Sequence, residues 1–266
     1  MRISFIGGGT MAEAIIKSCL SQKILVSGDI TVSDIRQHRL DTLKKEYNIQ
    51  TTVTNTEAIS NADVIVLAIK PQDLNVISKE LKELPPHRLI ISILAGIKLD
   101  NLNQKLNYPY LVRAMPNMPA QISEGISVWT ATTEVTMQQK EQAKTILSAM
   151  GEEIYVDNEK YIDMATAVSG SGPAYIFLII EALIDAGVHI GLPRNIAEKL
   201  VIETTIGSAR AIKETEKHPA ELRNMVTSPG GTTAEGILQL ETGGLRSLLL
   251  RAVIAAYEKS QSLGTK

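Results

Sequence analysis

The 266-residue sequence predicts an α/β protein in two parts, a parallel-sheet domain over residues 1–160 and an all-helical domain over residues 161–266. Three observations carry this. Short β-branched runs alternate with helix-like stretches through the first 160 residues, the order that builds a parallel sheet with crossover helices. A glycine-rich turn directly follows the first of those runs. Beyond residue 160, Ala, Leu, Ile and Glu recur at helical spacing and no strand pattern appears.

The elements follow in order. Strands are expected at Arg2 to Ile6, Ile30 to Ser33, Val64 to Ile69 and Leu89 to Leu94, with further ones around Tyr110 to Met115, Ile126 to Ala131 and Glu153 to Val156. Val64 to Ile69 is apolar at every position, which fits a central strand covered on both faces. A helix from Thr136 to Met150 has Thr136 as its N-cap and ends at Gly151. In the second half, Pro173 suits the start of a helix and Gly187 and Gly191 close it. Helices of about 15 to 20 residues are expected from Arg194, Thr232 and Gly244. Ala174 to Ile180 is apolar nearly all round, so something must cover that helix on most sides, and a dimer could do so.

Composition narrows the function. Lys and Arg number 27 against 29 Asp and Glu, a net charge of −2, and only 4% of residues are aromatic, so no phosphate-neutralising patch or stacking platform points to nucleic acid. Cys19 is the only cysteine, which excludes an intramolecular disulfide or a multi-thiolate metal site and fits a reducing cytoplasm. No uninterrupted apolar run approaches the roughly 18 residues of a membrane span, and Ile3 to Ile6 runs into glycines rather than a cleavage site. A soluble cytoplasmic protein without metal is expected. His38, His87, His189 and His218 lie outside the turns described next and lack metal-ligand spacing.

Gly7, Gly8, Gly9, Thr10, Met11 and Ala12 form a G-x-G-x-x-A turn between a strand and a helix. Gly7 allows the tight turn, Gly9 lets a pyrophosphate approach the backbone, Ala12 permits close helix packing, and the helix N-terminus offers N–H donors. With an acid, Asp34, at the end of the next strand, this is the pattern of a Rossmann-like dinucleotide-binding domain. The cofactor choice stays open at this level: Asp34 could bond a ribose 2′-hydroxyl, whereas Ser33, Arg36 and Arg39 could hold a 2′-phosphate, with solvation the simpler reading of Arg39. Lys70 and Pro71 end one strand and Ala95 and Gly96 follow another, where ligands of open parallel sheets lie. In the helical half, Ser169 to Tyr175 (SGSGPAY) and Thr227 to Thr233 (TSPGGTT) read as turns. In the second, Ser228, Pro229, Gly230 and Gly231 lead into a helix beginning at Thr232 and Thr233, a geometry suited to a small carboxylate.

Together GGGTMA, Ala68 to Pro71 (AIKP), Arg113 to Pro119 (RAMPNMP), SGSGPAY and VTSPGGTTAEGILQLE from Val226 to Glu241 resemble the pyrroline-5-carboxylate reductases nearly end to end. The resemblance implies a Rossmann domain followed by a helical dimerisation and substrate-binding domain, a homodimer that sometimes assembles into larger rings, and an active site between domains. It implies reduction of a cyclic imino acid, 1-pyrroline-5-carboxylate, to L-proline with NADP(H), NAD(H) being the alternative. It assigns the substrate carboxylate to Ser228, Gly230, Gly231 and Thr232, the ring nitrogen to Thr233 as the catalytic hydroxyl, and cofactor contacts to Gly7, Gly9, Thr10, Met11, Asn55, Ala68, Lys70, Pro71, Ala95 and Gly96. One departure is that many relatives carry Asn-Arg or Ser-Ser after the second strand, where this chain has Asp34 and Ile35 with Arg36 one place later. Two other readings are another two-domain reductase, such as a β-hydroxyacid dehydrogenase using Lys199 or Lys213, and a non-catalytic cofactor sensor. The first lacks its family's surrounding motif, and the second has no need of the SPGGTT turn.

Overall fold

The structure is a computed structural model that describes residues 1–263 apart from 82, 83 and 85. Among the described residues, eight strands form one sheet: β1 (Ile3–Ile6), β2 (Ile30–Ser33), β3 (Gln50–Thr52), β4 (Val64–Leu67), β5 (Leu89–Ser92), β6 (Leu111–Met115), β7 (Gly125–Ala131) and β8 (Gly151–Tyr155). Their order across the sheet is β3-β2-β1-β4-β5-β6-β7-β8, so the direction of winding reverses between β1 and β4. All neighbours are parallel except β6 and β7. The residue pattern predicts a parallel sheet; the antiparallel pair and the short β3 depart from it. Nine residues between β6 and β7, too few for a covering crossover helix, force the chain to double back.

Among the described residues, seven α-helices belong to this part: α1 (Thr10–Ser21), α2 (Gln37–Tyr47), α3 (Asn55–Ile59), α4 (Leu74–Glu80), α5 (Leu99–Leu106), α6 (Met137–Ser148) and α7 (Lys160–Ala165). They bury two apolar layers. One, around Phe5, Ile16, Leu43 and Ile146, lies on one face; the other, around Ile65, Leu67, Leu102 and Leu111, lies on the opposite face. Every residue of β4 is buried, as its unbroken apolar run requires. Thr136 caps α6 as expected, accepting the Gln139 N–H while Gln139 Oε1 accepts the Thr136 N–H in return. Cys19 lies wholly inside the first layer, and burial pushes its thiol up to about 12, so it behaves as a small hydrophobe.

The chain continues through α8 (Gly172–His189), α9 (Arg194–Thr215), α10 (Pro219–Met225), α11 (Thr232–Thr242) and α12 (Leu245–Leu263). It divides into two compact units, residues 1–171 with 256–266, and residues 172–255. The first unit thus runs past the boundary anticipated near residue 160 and takes in the end of the chain. A buried ion cluster explains this. Arg113 on β6 is fully buried, donates from Nη1 to Glu159 Oε1 at 2.8 Å, and pairs through Nη2 with Asp163 on α7. Glu159 also accepts the Leu99 N–H at 2.8 Å, and Ser260 of α12 reaches Asp163 at 3.4 Å. A buried guanidinium requires such partners, and meeting that demand ties three separated segments to the sheet.

Two glycine assignments are corrected. Ser169 to Tyr175 is no turn: the backbone stays helical from Lys160 to His189, with a π-helical stretch at Thr166–Gly170. Asn117 holds that stretch, its Nδ2 donating to the Ser169 carbonyl at 3.2 Å while its Oδ1 accepts the Ile126 N–H at 2.9 Å. Gly187 does not close α8 but lies within it, where an added Cβ would come 3.1 Å from that of Ala197 on α9. Gly191, at φ +104°, makes the turn.

The second unit has almost no interior. Ala197 is the one buried residue among 172–255, whereas Ile176, Phe177 and Leu178 on α8 are each about half exposed or more. By length and composition the helical stretch Lys160–His189 could cross a membrane. Glu181 and Asp185 interrupt the apolar run, so the sequence shows no unbroken span there. An 84-residue unit with so little core needs cover for that surface.

Candidate functional site

The reversal of winding between β1 and β4 opens a crevice at the carboxyl ends of the strands, where ligands of such sheets bind. Gly7 follows β1 at φ +97°, donates its N–H to the Ser33 carbonyl at 2.8 Å, and lies so close to the end of β4 that a Cβ would sit 2.7 Å from the Ala68 carbonyl oxygen. No L side chain fits there. Gly9 is different: it is the N-cap of α1, no side chain caps that helix, and the nearest atom to an added Cβ is 4.0 Å away. The open space at Gly9 and the uncapped first turn at Thr10 and Met11 form a cradle for an anion, strengthened by the helix dipole. The residues present therefore fit the pyrophosphate of a dinucleotide.

The same edge carries the other anticipated positions. Ala68 continues β4, with its N–H donating to Ile6 at 2.9 Å; Lys70 is exposed, and Pro71 starts a 3₁₀ turn that bends the chain away. Ala95 and Gly96 follow β5, and Gly96 turns at φ +76°. Asn55 begins α3 and is half-buried, its Oδ1 accepting from the Ser33 hydroxyl and its Nδ2 donating to Glu80, both at 2.6 Å.

At the end of β2 the structure corrects two expectations. Ser33 is fully buried and its hydroxyl is spent on Asn55, so it is not presented to a 2′-phosphate. Arg39 is neither solvated nor facing a ligand: Nε donates to the Gly8 carbonyl and Nη2 pairs with Glu13, which also accepts from the Tyr47 hydroxyl at 3.0 Å. Burial, reinforced by Glu13, pushes the Tyr47 hydroxyl far up. The sequence did hold a signal for this arrangement. Arg39, Leu43 and Tyr47 recur at i, i+4 and i+8, which places Arg39 on the inward stripe of α2.

Asp34 is heavily engaged. Oδ1 accepts the Arg36 backbone N–H and Nε, each at 2.9 Å; Oδ2 accepts the Gly8 N–H at 2.9 Å and Arg36 Nη2 at 3.0 Å. Burial alone would raise the Asp34 carboxyl, but the bonds from Arg36 and Gly8 outweigh it and hold the group below the usual carboxylate range. All four acceptor positions are filled. Arg36 uses two of its five N–H groups on Asp34, and its side chain remains half-exposed.

In the second unit, Ser228, Pro229 and Gly230 are exposed and Gly230 turns at φ +67° with nothing near it. Gly231 donates to the Ser228 carbonyl at 3.1 Å, and an added Cβ would come 2.5 Å from Ser228 Oγ, so a side chain there would force the serine hydroxyl to rotate away. Gly231 is the N-cap of α11, which no side chain caps; Thr232 is exposed and Thr233 half-buried in its first turn. Free N–H groups, two hydroxyls and a helix N-terminus suit a small carboxylate.

A doubly wound sheet with a glycine cradle at its switch point, followed by a helical unit with an uncapped glycine turn, defines a dinucleotide-dependent oxidoreductase. Residues 2–96 match the family model described as NADP oxidoreductase, coenzyme F420-dependent, and residues 159–263 match pyrroline-5-carboxylate reductase dimerisation. The chain is 44% identical over 266 residues to a pyrroline-5-carboxylate reductase of Synechocystis sp., covering 100% of this chain and 99% of the relative. A solved pyrroline-5-carboxylate reductase from Coxiella burnetii superposes with a TM-score of 0.90 at 39% identity, covering 98% of both chains. The Plasmodium falciparum enzyme solved with NADP bound gives 0.91 at 30% identity, covering 99% of this chain and 98% of that one. The chain belongs to the pyrroline-5-carboxylate reductase family. It is an NAD(P)H-dependent oxidoreductase that forms homo-oligomers, and neither the β-hydroxyacid dehydrogenase nor the sensor reading is favoured.

Proposed function

We propose that this chain reduces 1-pyrroline-5-carboxylate to L-proline with NADPH. The observation that carries the reading is the uncapped turn at Ser228–Thr233, whose open, positive-φ glycine and free helix N-terminus fit a small carboxylate. The glycine cradle of the first unit and the names of the relatives agree with it.

When bound, NADPH supplies the hydride that adds to the imine carbon, while the ring nitrogen keeps the proton it carries in the iminium form. The chain's own groups bind and orient. The Gly7–Met11 cradle holds the pyrophosphate, with Ala68, Lys70, Pro71, Ala95 and Gly96 bordering the remainder of the dinucleotide. Backbone N–H groups of Gly230 and Thr232, on either side of Gly231, with the Ser228 hydroxyl, clamp the carboxylate and so select the ring face that receives the hydride. Thr233 Oγ1 bonds the ring nitrogen and keeps its proton directed. Losing one such bond costs about 1–3 kcal/mol, so Thr233→Ala is expected to lower kcat/KM by roughly ten- to a hundredfold, read from cofactor absorbance. An unchanged kcat/KM removes Thr233 from the mechanism.

NADPH is favoured over NADH because every acceptor position on Asp34 is filled, leaving none for a ribose 2′-hydroxyl, while Arg36 retains three N–H donors for a 2′-phosphate. A second copy of the chain covers the exposed apolar faces of α8, α9 and α12, giving a soluble cytoplasmic homodimer able to build a ring. The test is an initial-rate assay with 1-pyrroline-5-carboxylate and either cofactor. The expected result is turnover with NADPH at least tenfold more efficient than with NADH; no turnover with this imine under either cofactor defeats the reading.

A further inference from the structure

Side chains grip the backbone of the middle glycine of the turn on both sides, one at each of its two flanking peptides. Asp34 Oδ2 accepts the Gly8 N–H at 2.9 Å, and Arg39 Nε donates to the Gly8 carbonyl. Gly8 itself is buried, and an added Cβ would come 2.9 Å from Leu43 Cδ1, so its apolar side is packed as well. Arg39 is held in turn: its Nη2 pairs with Glu13 on α1, and Glu13 is held by the Tyr47 hydroxyl at 3.0 Å. Glu13 donates its own N–H to the Gly9 carbonyl at 3.0 Å. The chain of contacts therefore closes on itself, from α2 through Arg39 to Gly8, and from Arg39 through Glu13 back to the residue after Gly8.

We propose that Arg39 and Asp34 are positioning residues that together fix the two peptides flanking Gly8, so that the Gly8 carbonyl is turned away from the phosphate path and the N–H groups that follow are aimed into it. This rests on the dinucleotide-binding reading of the turn given above. A carbonyl oxygen pointing toward the pyrophosphate would repel it, and a turn free to sample that orientation would lose affinity before any contact with adenine, ribose or nicotinamide is considered. The assignment separates the two arginines near the end of β2. Arg36, half-exposed, is free to meet a 2′-phosphate, whereas Arg39, with both prongs engaged, acts through the loop on whatever pyrophosphate it holds. It also gives Asp34 a role other than that of a ribose acceptor.

The two roles have different signatures. A 2′-phosphate ligand discriminates between NADPH and NADH; a loop brace does not, because both carry the same pyrophosphate. The experiment is titration of the full-length protein with each cofactor in the absence of imine, following quenching of Trp129 or nucleotide fluorescence, for wild type, Arg39→Ala and Arg39→Lys. Arg39→Ala is expected to weaken both cofactors by about the same factor, roughly tenfold, and Arg39→Lys, which can reach one partner but not both, by a smaller factor that is again equal for the two. Arg36→Ala is expected to weaken NADPH by a larger factor than NADH. A loss confined to NADPH in Arg39→Ala would make Arg39 a phosphate ligand and overturn the proposal, as would unchanged binding of both cofactors. If Arg39→Ala does not fold, the equal or unequal loss in Arg39→Lys decides. Wild type that binds neither cofactor would instead remove the dinucleotide reading itself.

Discussion

Gly7→Ala is expected to weaken dinucleotide binding by at least about a hundredfold and to lower thermal stability as well. Two penalties coincide at this residue. A left-handed backbone at φ +97° costs a non-glycine residue on the order of 1–3 kcal/mol, and the new Cβ would stand 2.7 Å from the Ala68 carbonyl oxygen. That oxygen belongs to the chain leaving β4, whose ladder with β1 holds it in place, so the turn rather than the sheet must move. A displacement that opens this contact misaims the N–H groups at the start of α1, and about 2.7 kcal/mol of lost interaction is a hundredfold in affinity. Gly9→Ala provides the contrast, because its Cβ has room in the free protein and should leave stability unchanged while obstructing the approach of a pyrophosphate. Cofactor titration and thermal unfolding of the two variants check this; Gly7→Ala with wild-type affinity and stability would show that the turn tolerates a side chain.

Arg113→Met is expected to destabilise the first unit by about 3 kcal/mol or more, measured by urea unfolding. The guanidinium is fully buried between Glu159 and Asp163, and removing it strands Asp163, a side chain with only 7% exposure, without its cationic partner. Glu159 is a quarter exposed and can recover water, which places the loss toward the lower end of the range for broken buried pairs. The combined change Arg113→Met with Asp163→Leu is expected to regain much of the stability, since replacing both charges removes the stranded group along with the missing one. Because Ser260 also reaches Asp163, the single variant should loosen the end of α12, visible as faster hydrogen exchange there. A single variant as stable as wild type, with unchanged exchange, would mean that the cluster contributes nothing net.

Much of the first unit is legible in the residues because its signals are local. The apolar run at Val64–Leu67, the glycine turn after Ile6 and the Thr136 capping box each depend on neighbours within a few positions, and each forms where the pattern places it. The turn at Ser228–Gly231 is similar, with its conformation written in two glycines and a proline. Local signals fail where partners come from afar. Ser169 to Tyr175 looks like a turn because it holds two glycines, yet it continues a helix, and Asn117, from the other side of two strands, holds the carbonyl of Ser169 in the π-helical stretch at its start. The antiparallel return of β7 follows from a connection too short for a crossover, a constraint on chain path rather than on residue type.

By itself, then, the sequence determined the parallel sheet with its glycine cradle, the helical second half and the family to which they belong, because strand, helix and turn preferences are set within a few residues. Only the tertiary structure decided what the polar side chains at the end of β2 do. Whether Ser33, Asp34, Arg36 and Arg39 face a ligand, the core or one another depends on which groups the fold brings within 3 Å, and those partners lie as far as 31 residues away in the chain. The same holds for the buried Arg113, which reads as a charged residue in a strand until residues 46 and 50 positions later supply its carboxylates. A charge can be buried only where its counter-charges converge, and convergence is a property of the folded chain.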